Sequence, residues 1–235
     1  MNDTEKKKLL SDIKDFFQDS IISNHLTNTN RLQLSDFNRN PLLESYLANY
    51  AFGDNSAESI ARVLVYARLL GTSITTTFGT AIQRMCSSVL SGYGSTADGI
   101  DIEYISSNDG RRKYCQLKAG PQTINKGDVN EICETFKHLK NLGRTNSVRI
   151  SDDDCIVGII YGTHSDISGN YKTIEKNGYT VLAGSEFWYD LTGDEDFYED
   201  LIETIYNLAN EIDASTAFKN AIKRIKDEII ASEKE

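Results

Sequence analysis

The chain has 235 residues, of which 26% are charged, and a formal net charge of −10 at pH 7. It holds no apolar run near the ~20 residues that a membrane-spanning helix needs. Its first residues mix acids with lysines and lack a signal-peptide cleavage pattern, so we expect a cytoplasmic protein without a membrane partner. The four cysteines form no CxxC pair and have no histidine at ligand spacing, which argues against structural zinc.

The charge is unevenly distributed along the chain. Residues 1–150 hold 18 Lys and Arg against 16 Asp and Glu, whereas residues 151–235 hold 7 against 19. An acidic protein is a poor general binder of nucleic acid, but an anionic ligand could still face the first part. The basic side chains expected there are Arg111, Arg112, Lys113, Lys118 and Lys126.

The first part of the chain predicts mainly helices. Apolar spacing favours a helix over residues 4–22, and the asparagine-rich residues 24–40 predict a loop. Pro41 begins a short helix through Ala51. Ser56 caps a helix to about Leu70, and residues 75–90 predict another helix.

The apolar period then changes from helical to alternating. Residues 100–105 alternate as a strand does, residues 107–110 (SNDG) favour a turn, and residues 113–118 form a second strand. Asp128 is expected to cap the next helix. Residues 155–161 are almost continuously apolar, which is typical of a central strand buried on both faces.

The C-terminal part predicts a short strand over residues 179–183 and helices over residues 197–212 and 217–230. This order of elements favours an α/β fold with a mixed central sheet flanked by helices. We expect residues 1–235 to form one domain, with a helical part up to about residue 72 that serves dimerisation or DNA binding.

The predicted hairpin brings polar residues together. With the turn at its tip, opposing residues have numbers that add to roughly 217, so Asp101 lies opposite Gln116. Asp101 and Glu103 then share a face with Gln116 and Lys118. A solvent-exposed hairpin would show the same alternation, and that alternative stays open. The apolar residues expected to point the other way are Ile100, Ile102, Cys115 and Leu117.

These polar residues suit the hydrolysis of a phosphodiester bond. Mg²⁺ prefers oxygen ligands and takes one or two carboxylates. Asp101 could bridge the metal, with Glu103 helping directly or through water. The Gln116 side-chain oxygen and the Leu117 carbonyl are further donors, and Lys118 could orient the attacking water and stabilise negative charge.

The stretch ADGIDIEY…KYCQLKAGPQTIN resembles the PD-(D/E)xK motif of type II restriction endonucleases, with Asp101 followed by Gln116-Leu117-Lys118. The resemblance implies a restriction-endonuclease-like fold, metal bridging by Asp101, metal or water binding at Gln116 and catalysis by Lys118. Isoleucine replaces the proline before the aspartate. Gln116 replaces the second acid, as in the QxK variants of Mrr-like nucleases, so Glu103 is a candidate for the second ligand.

The resemblance is carried by about residues 78–139, with weaker similarity to about residue 205. It implies a polar helper from the helix before the first strand, for which Gln83 is the candidate. Amides, hydroxyls and basic groups near the motif could contact phosphates or base edges. The predicted DNA-binding residues are Gln122, Thr123, Asn125, Lys126, Arg111 and Arg112.

The resulting function hypothesis is a Mg²⁺-dependent deoxyribonuclease that cuts double-stranded DNA at a short palindromic site. A two-fold homodimer would give each strand its own active site. Two alternatives stay open: a structure-selective repair or junction-resolving nuclease, and a DNA-binding module without activity.

Overall fold

The computed structural model describes residues 2–73, 81, 84, 85, 89–211 and 214–233. Its helices are α1 Asp3–Phe16, α2 Ser23–Arg31, α3 Pro41–Phe52, α4 Ala57–Tyr66, α5 Lys126–Thr145, α6 Gly169–Lys176, α7 Ser185–Thr192, α8 Phe197–Glu211 and α9 Ala214–Ser232. Its strands are β1 Ile102–Ile105, β2 Arg112–Lys118, β3 Cys155–Ile159 and β4 Thr180–Ala183.

The chain divides into two compact units. The sheet unit comprises Met1–Phe16 and Ile82–Tyr206, and the helical unit comprises Phe17–Ala81 and Asn207–Glu235. The single domain over residues 1–235 stays a prediction, and so does a separate role for its helical part up to about residue 72. In the described part of the chain, no helix combines the length and apolarity needed to cross a membrane.

The sheet unit contains one four-stranded sheet in the order β1-β2-β3-β4. β1 and β2 are antiparallel, whereas β2, β3 and β4 run parallel. Every residue of β3 is buried, as the sequence predicts for a central strand, although β3 ends at Ile159 instead of residue 161. The predicted mixed sheet with flanking helices is therefore confirmed.

Helices cover both faces of the sheet. Val157 and Ile159 join a core with Ile132 and Phe136 of α5. Gly158 faces the opposite side, where an added Cβ would lie 2.5 Å from the ring of Phe187 in α7. Side chains of one strand thus alternate between a face covered by α5 and a face covered by α7.

Several predicted boundaries are wrong. The first helix ends at Phe16 and continues as a π-helical segment, Phe17–Ile22. The predicted loop 24–40 contains α2, because Arg224 of α9 donates to the carbonyls of Thr29 and Leu32 and so satisfies the end of that helix. Short helices α6 and α7 have no counterpart among the predicted elements. Most of the predicted helix 75–90 lies outside the described residues.

The cap of α5 also differs from the prediction. Asn125 is the N-cap, and its side chain accepts hydrogen bonds from the main-chain nitrogens of Gly127 and Asp128. Asp128 lies three residues later and accepts from the Asn125 nitrogen, which completes a capping box. The predicted caps at Ser56 and the helix start at Pro41 are confirmed.

A buried carboxylate of α7 holds the tip of the β1–β2 hairpin. Asp190 is 1% exposed. Its side chain accepts hydrogen bonds from the Tyr104 hydroxyl at 2.7 Å, the Asn108 amide at 2.7 Å and the Ser106 hydroxyl. The Ser107 nitrogen donates to the Asp190 carbonyl at 2.8 Å. These contacts fix the turn against α7.

We expect Asp190→Ala to lower the free energy of unfolding by about 3 kcal/mol, because it leaves the buried hydroxyls of Tyr104 and Ser106 without their acceptor. Urea unfolding measures this loss. Asp153→Ala is the matched control, since Asp153 is exposed, and its effect should stay within ~0.5 kcal/mol. Equal losses for the two variants would contradict the anchoring role.

Candidate active site at the carboxyl end of β2

The hairpin register brings the predicted site residues together. Ile102 lies opposite Cys115 and Glu103 lies opposite Tyr114, so paired numbers add to 217, which confirms the predicted register. The pairing ends at Ile102, so the predicted position of Asp101 opposite Gln116 is not part of the ladder. Asp101 lies just before β1, and its nitrogen donates to the Cys115 carbonyl at 3.0 Å.

The Asp101 carboxylate accepts the hydrogen bond that a main-chain carbonyl of the neighbouring strand would otherwise accept from Leu117. Its Oδ2 accepts a hydrogen bond from the Leu117 nitrogen at 2.7 Å. The residue is exposed, and its Oδ1 makes no hydrogen bond to any residue that the structure describes. The Leu117 carbonyl lies on the same edge as its nitrogen, because both groups of one strand residue point the same way.

Gln116 is 7% exposed. Its Nε2 donates to the Gly99 carbonyl at 2.8 Å, which fixes the amide and leaves Oε1 as the acceptor. Gly99 has φ +75°, and an added Cβ would lie 2.7 Å from Thr135 of α5. This glycine therefore lets the chain turn closely over α5 and present its carbonyl to Gln116.

Lys118 ends β2 on the same face as Gln116, two residues away. It is half-buried, and its carbonyl accepts a hydrogen bond from the Ile160 nitrogen at 3.1 Å. Its ammonium group has no ion pair within the described ranges. The cation is therefore available to a ligand.

Glu103 shares this face but is already engaged. One oxygen accepts from the Ser95 hydroxyl at 2.6 Å, and the other pairs with Arg112 at 2.9 Å. Both oxygens are thus occupied by one partner each, and the predicted assistance of Glu103 to a metal stays a prediction.

Ile100 departs from the predicted alternation. Ile102, Cys115 and Leu117 are buried as expected. Ile100 is also buried, but it belongs to the core cluster that contains Phe136 of α5. Because the turn at residue 99 precedes it, Ile100 lies outside the pleat of β1, and its predicted orientation away from the polar face is wrong.

Arg111 and Arg112 lie at the opposite end of β2. Six residues of strand separate Arg112 from Lys118, which is roughly 20 Å. Arg111 pairs with Asp154 at 2.5 Å. Burial opposes ionisation of Asp154, but hydrogen bonds from Ser151 and the pairing with Arg111 lower its pKa. Both arginines are thus engaged in ion pairs, and their contact with DNA stays a prediction.

The four predicted DNA-binding residues after β2 divide into two pairs. Thr123 donates to the Gly120 carbonyl at 2.9 Å, and Asn125 caps α5, so both side chains serve the local fold. Gln122 and Lys126 are exposed. Gln83 lies outside the described residues.

The group of Asp101, Gln116 and Leu117 offers three oxygen atoms and no sulfur or nitrogen ligand. Within the described ranges, no cluster of three or more His, Cys, Asp or Glu side chains could hold a metal ion. An oxygen set with one carboxylate and an amide fits a hard cation such as Mg²⁺, which retains several waters. Zinc would require softer ligands.

Sequence reasoning missed the two groups that orient this site from outside the hairpin strands. These are the Gly99 carbonyl, which holds Gln116, and the Ser95 hydroxyl, which holds Glu103. The signal for this arrangement in the sequence is the Asp98-Gly99 dipeptide, a common turn sequence that indicates a sharp bend before β1.

The comparison with curated proteins gives no significant match. The comparison with protein families matches residues 6–213 to the family described as type II restriction endonuclease EcoO109I. This match spans most of the chain. It includes both strands of the hairpin and the residues Asp101, Gln116, Leu117 and Lys118. Together with the mixed sheet, it establishes that the chain belongs to the EcoO109I family of type II restriction endonucleases, which are site-specific DNA-cleaving hydrolases.

Proposed function

We propose that this restriction endonuclease cuts both strands of a short palindromic DNA site by a Mg²⁺-dependent mechanism of the PD-(D/E)xK type, in its QxK variant. The main support is the hydrogen bond from the Leu117 nitrogen to Asp101 at 2.7 Å. It places a carboxylate directly against the Gln116-Leu117-Lys118 segment, as that motif requires.

The residues that would hold Mg²⁺ are Asp101, Gln116 and Leu117. Asp101 would contribute Oδ1, because Oδ2 is held by the Leu117 nitrogen. Gln116 would contribute Oε1, because Nε2 is held by Gly99. Bound Mg²⁺ would polarise the scissile phosphate and lower the pKa of a bound water. With a single carboxylate, the set carries one negative charge, so phosphate oxygens of the DNA would complete it.

Lys118 would act on the reacting phosphate. Lys118 is on the same strand and the same face as Gln116, two residues away. It can orient the attacking water and stabilise the negative charge that develops on the phosphate oxygens. The residue is half-buried, and its freedom from ion pairs in the described part of the chain leaves the cation available.

We expect Asp101→Asn and Lys118→Ala to reduce DNA cleavage at least about 10³-fold, because each removes a charge that acts on the transition state. The assay is cleavage of phage DNA with Mg²⁺, followed by sequencing of fragment ends. Lys172→Ala, at an exposed lysine of α6, is the control and should cut at the wild-type rate.

Fragment ends that share one palindromic sequence would support site-specific cutting. Ends scattered over many sequences, or near-normal cutting by both active-site variants, would refute the proposed site. Circular dichroism of each variant checks that loss of activity is not loss of fold.

Asp101 should also have a measurable structural role. Asp101→Asn keeps an oxygen that can accept from Leu117, whereas Asp101→Ala leaves that nitrogen unpaired. We expect the alanine variant to lose about 1–2 kcal/mol of unfolding free energy and the asparagine variant less than half of that. Urea unfolding without metal distinguishes them; equal losses would mean that the hydrogen bond does not matter.

A homodimer would give each DNA strand its own site, and α3 provides a surface for it. Leu42 is 86% exposed, Tyr46 63% and Tyr50 80%. They lie four residues apart and form one apolar stripe. The single charged residue of α3, Glu44, is buried. Since the stripe itself carries no charge, pairing of two copies through it would place no like charges in the contact.

Antiparallel pairing of two α3 helices about a two-fold axis would set Leu42 against the Tyr50 side chain of the second copy. We expect Tyr46→Asp/Tyr50→Asp to shift the sedimentation of the free protein from dimer to monomer, because it buries charge in that contact. Asn220→Asp adds a charge at another exposed position and should leave the dimer intact. A dimer that survives both tyrosine changes would exclude α3 as the interface.

A further inference from the structure

A tyrosine lies beside the end of the proposed catalytic strand. Ile159 of β3 pairs with Lys118 of β2, and the Ile160 nitrogen donates to the Lys118 carbonyl at 3.1 Å. Tyr161 follows, so it leaves the sheet at the same edge as Lys118. The carboxyl ends of parallel strands are where ligands commonly bind in α/β folds.

The phenol ring of Tyr161 lies over Gly120. A Cβ added to Gly120 would be 2.4 Å from both Cζ and Oη of Tyr161. The tip of the ring therefore occupies the space that a side chain at residue 120 would take. Two residues of extended chain span roughly 7 Å, so this hydroxyl lies close to the Lys118 position.

Tyr161 is not needed to hold the loop that follows β2. The Gly120 carbonyl already accepts from the Thr123 hydroxyl and from the Tyr171 hydroxyl, both at 2.9 Å. Tyr171 is fully buried, and burial raises its pKa to about 12. These two hydrogen bonds to the Gly120 carbonyl hold the loop without a contribution from the Tyr161 hydroxyl.

The Tyr161 side chain differs from that of Tyr171 in its exposure and in its hydrogen bonding. The residue is 44% exposed, and its hydroxyl makes no hydrogen bond to any residue that the structure describes. It combines an exposed aromatic surface with an unused donor at the edge of the site. Neutral hydroxyls, like arginine and lysine, commonly donate to DNA phosphates.

We propose that Tyr161 is a substrate-binding residue, whose hydroxyl donates a hydrogen bond to a phosphate of the cleaved strand beside the one that Lys118 faces. This inference rests on the proposed function of Lys118. Gly120 has the complementary role of leaving room for the ring, so a larger residue there would displace the phenol from its position.

Tyr161→Phe tests the hydroxyl alone. Loss of one hydrogen bond to a charged group should raise KM for a duplex containing the mapped site about tenfold or more, with little change in kcat, because that bond exists before and during the reaction. Tyr206→Phe removes an exposed hydroxyl elsewhere and should leave KM unchanged. Wild-type KM in Tyr161→Phe would overturn the proposal.

Gly120→Ala tests the geometry independently. The added methyl should push the ring aside and raise KM as Tyr161→Phe does, and Gly120→Ala/Tyr161→Phe should be no worse than either single variant. Additive losses would mean that the two residues act separately and would overturn the proposal. Unfolding in urea should show all three variants within ~1 kcal/mol of the wild type.

Lys118→Ala separates this inference from the proposed function. If that variant is inactive while Tyr161→Phe keeps wild-type KM, only the role of Tyr161 is refuted. If Lys118→Ala and Asp101→Asn both cut normally, the proposed active site itself is refuted.

Discussion

One hydrogen bond links the fold of this protein to its chemistry: the Leu117 nitrogen donates to the Asp101 carboxylate at 2.7 Å. It stands where the antiparallel ladder between β1 and β2 would otherwise continue. A strand shifted by one residue would turn every side chain to the opposite face, so the pairing of Ile102 with Cys115 also decides which residues meet at the site. The register of the hairpin and the composition of the proposed metal-binding group are therefore one constraint.

The rest of the sheet unit maintains that register. At one end, the buried carboxylate of Asp190 accepts hydrogen bonds from Tyr104, Ser106 and Asn108 and so fixes the turn. At the other end, the Gly99 carbonyl holds the amide of Gln116. A hairpin fixed at both ends keeps its polar groups in a constant geometry, as the proposed binding of Mg²⁺ would require.

Close approach of backbone segments shapes the edge where the parallel strands end. Gly184 follows β4 with φ +53°, and an added Cβ would lie 2.0 Å from the Gly162 carbonyl. Gly162 in turn lies against Pro121, where an added Cβ would come within 2.9 Å. A side chain at Gly184 or Gly162 would therefore force these loops apart.

The net negative charge of the chain is compatible with DNA cleavage, because the proposed site has its own positive charge. Arg111 and Arg112 are each engaged with a carboxylate, at the end of β2 remote from the site. Lys118 lies at the other end, beside Asp101. Positive charge near the reacting phosphate would thus come from one lysine and the cation, and neutral donors such as hydroxyls would supply further contacts.

The sequence by itself determined the hairpin, its register and the identity of the residues on its polar face. These follow from a strong turn, alternation of apolar residues and a side-chain period of two, all of which are local. It also predicted the buried β3, because a strand covered on both faces is apolar throughout.

Only the tertiary structure decided which of those residues are available. Glu103 looks like a metal ligand in the sequence, yet its oxygens are bonded to Ser95 and Arg112. Tyr161 lies over forty residues from Gly120 in the chain and reaches it because β3 runs beside β2. Such contacts depend on how distant segments pack, and the periodicity of a sequence contains no information about them.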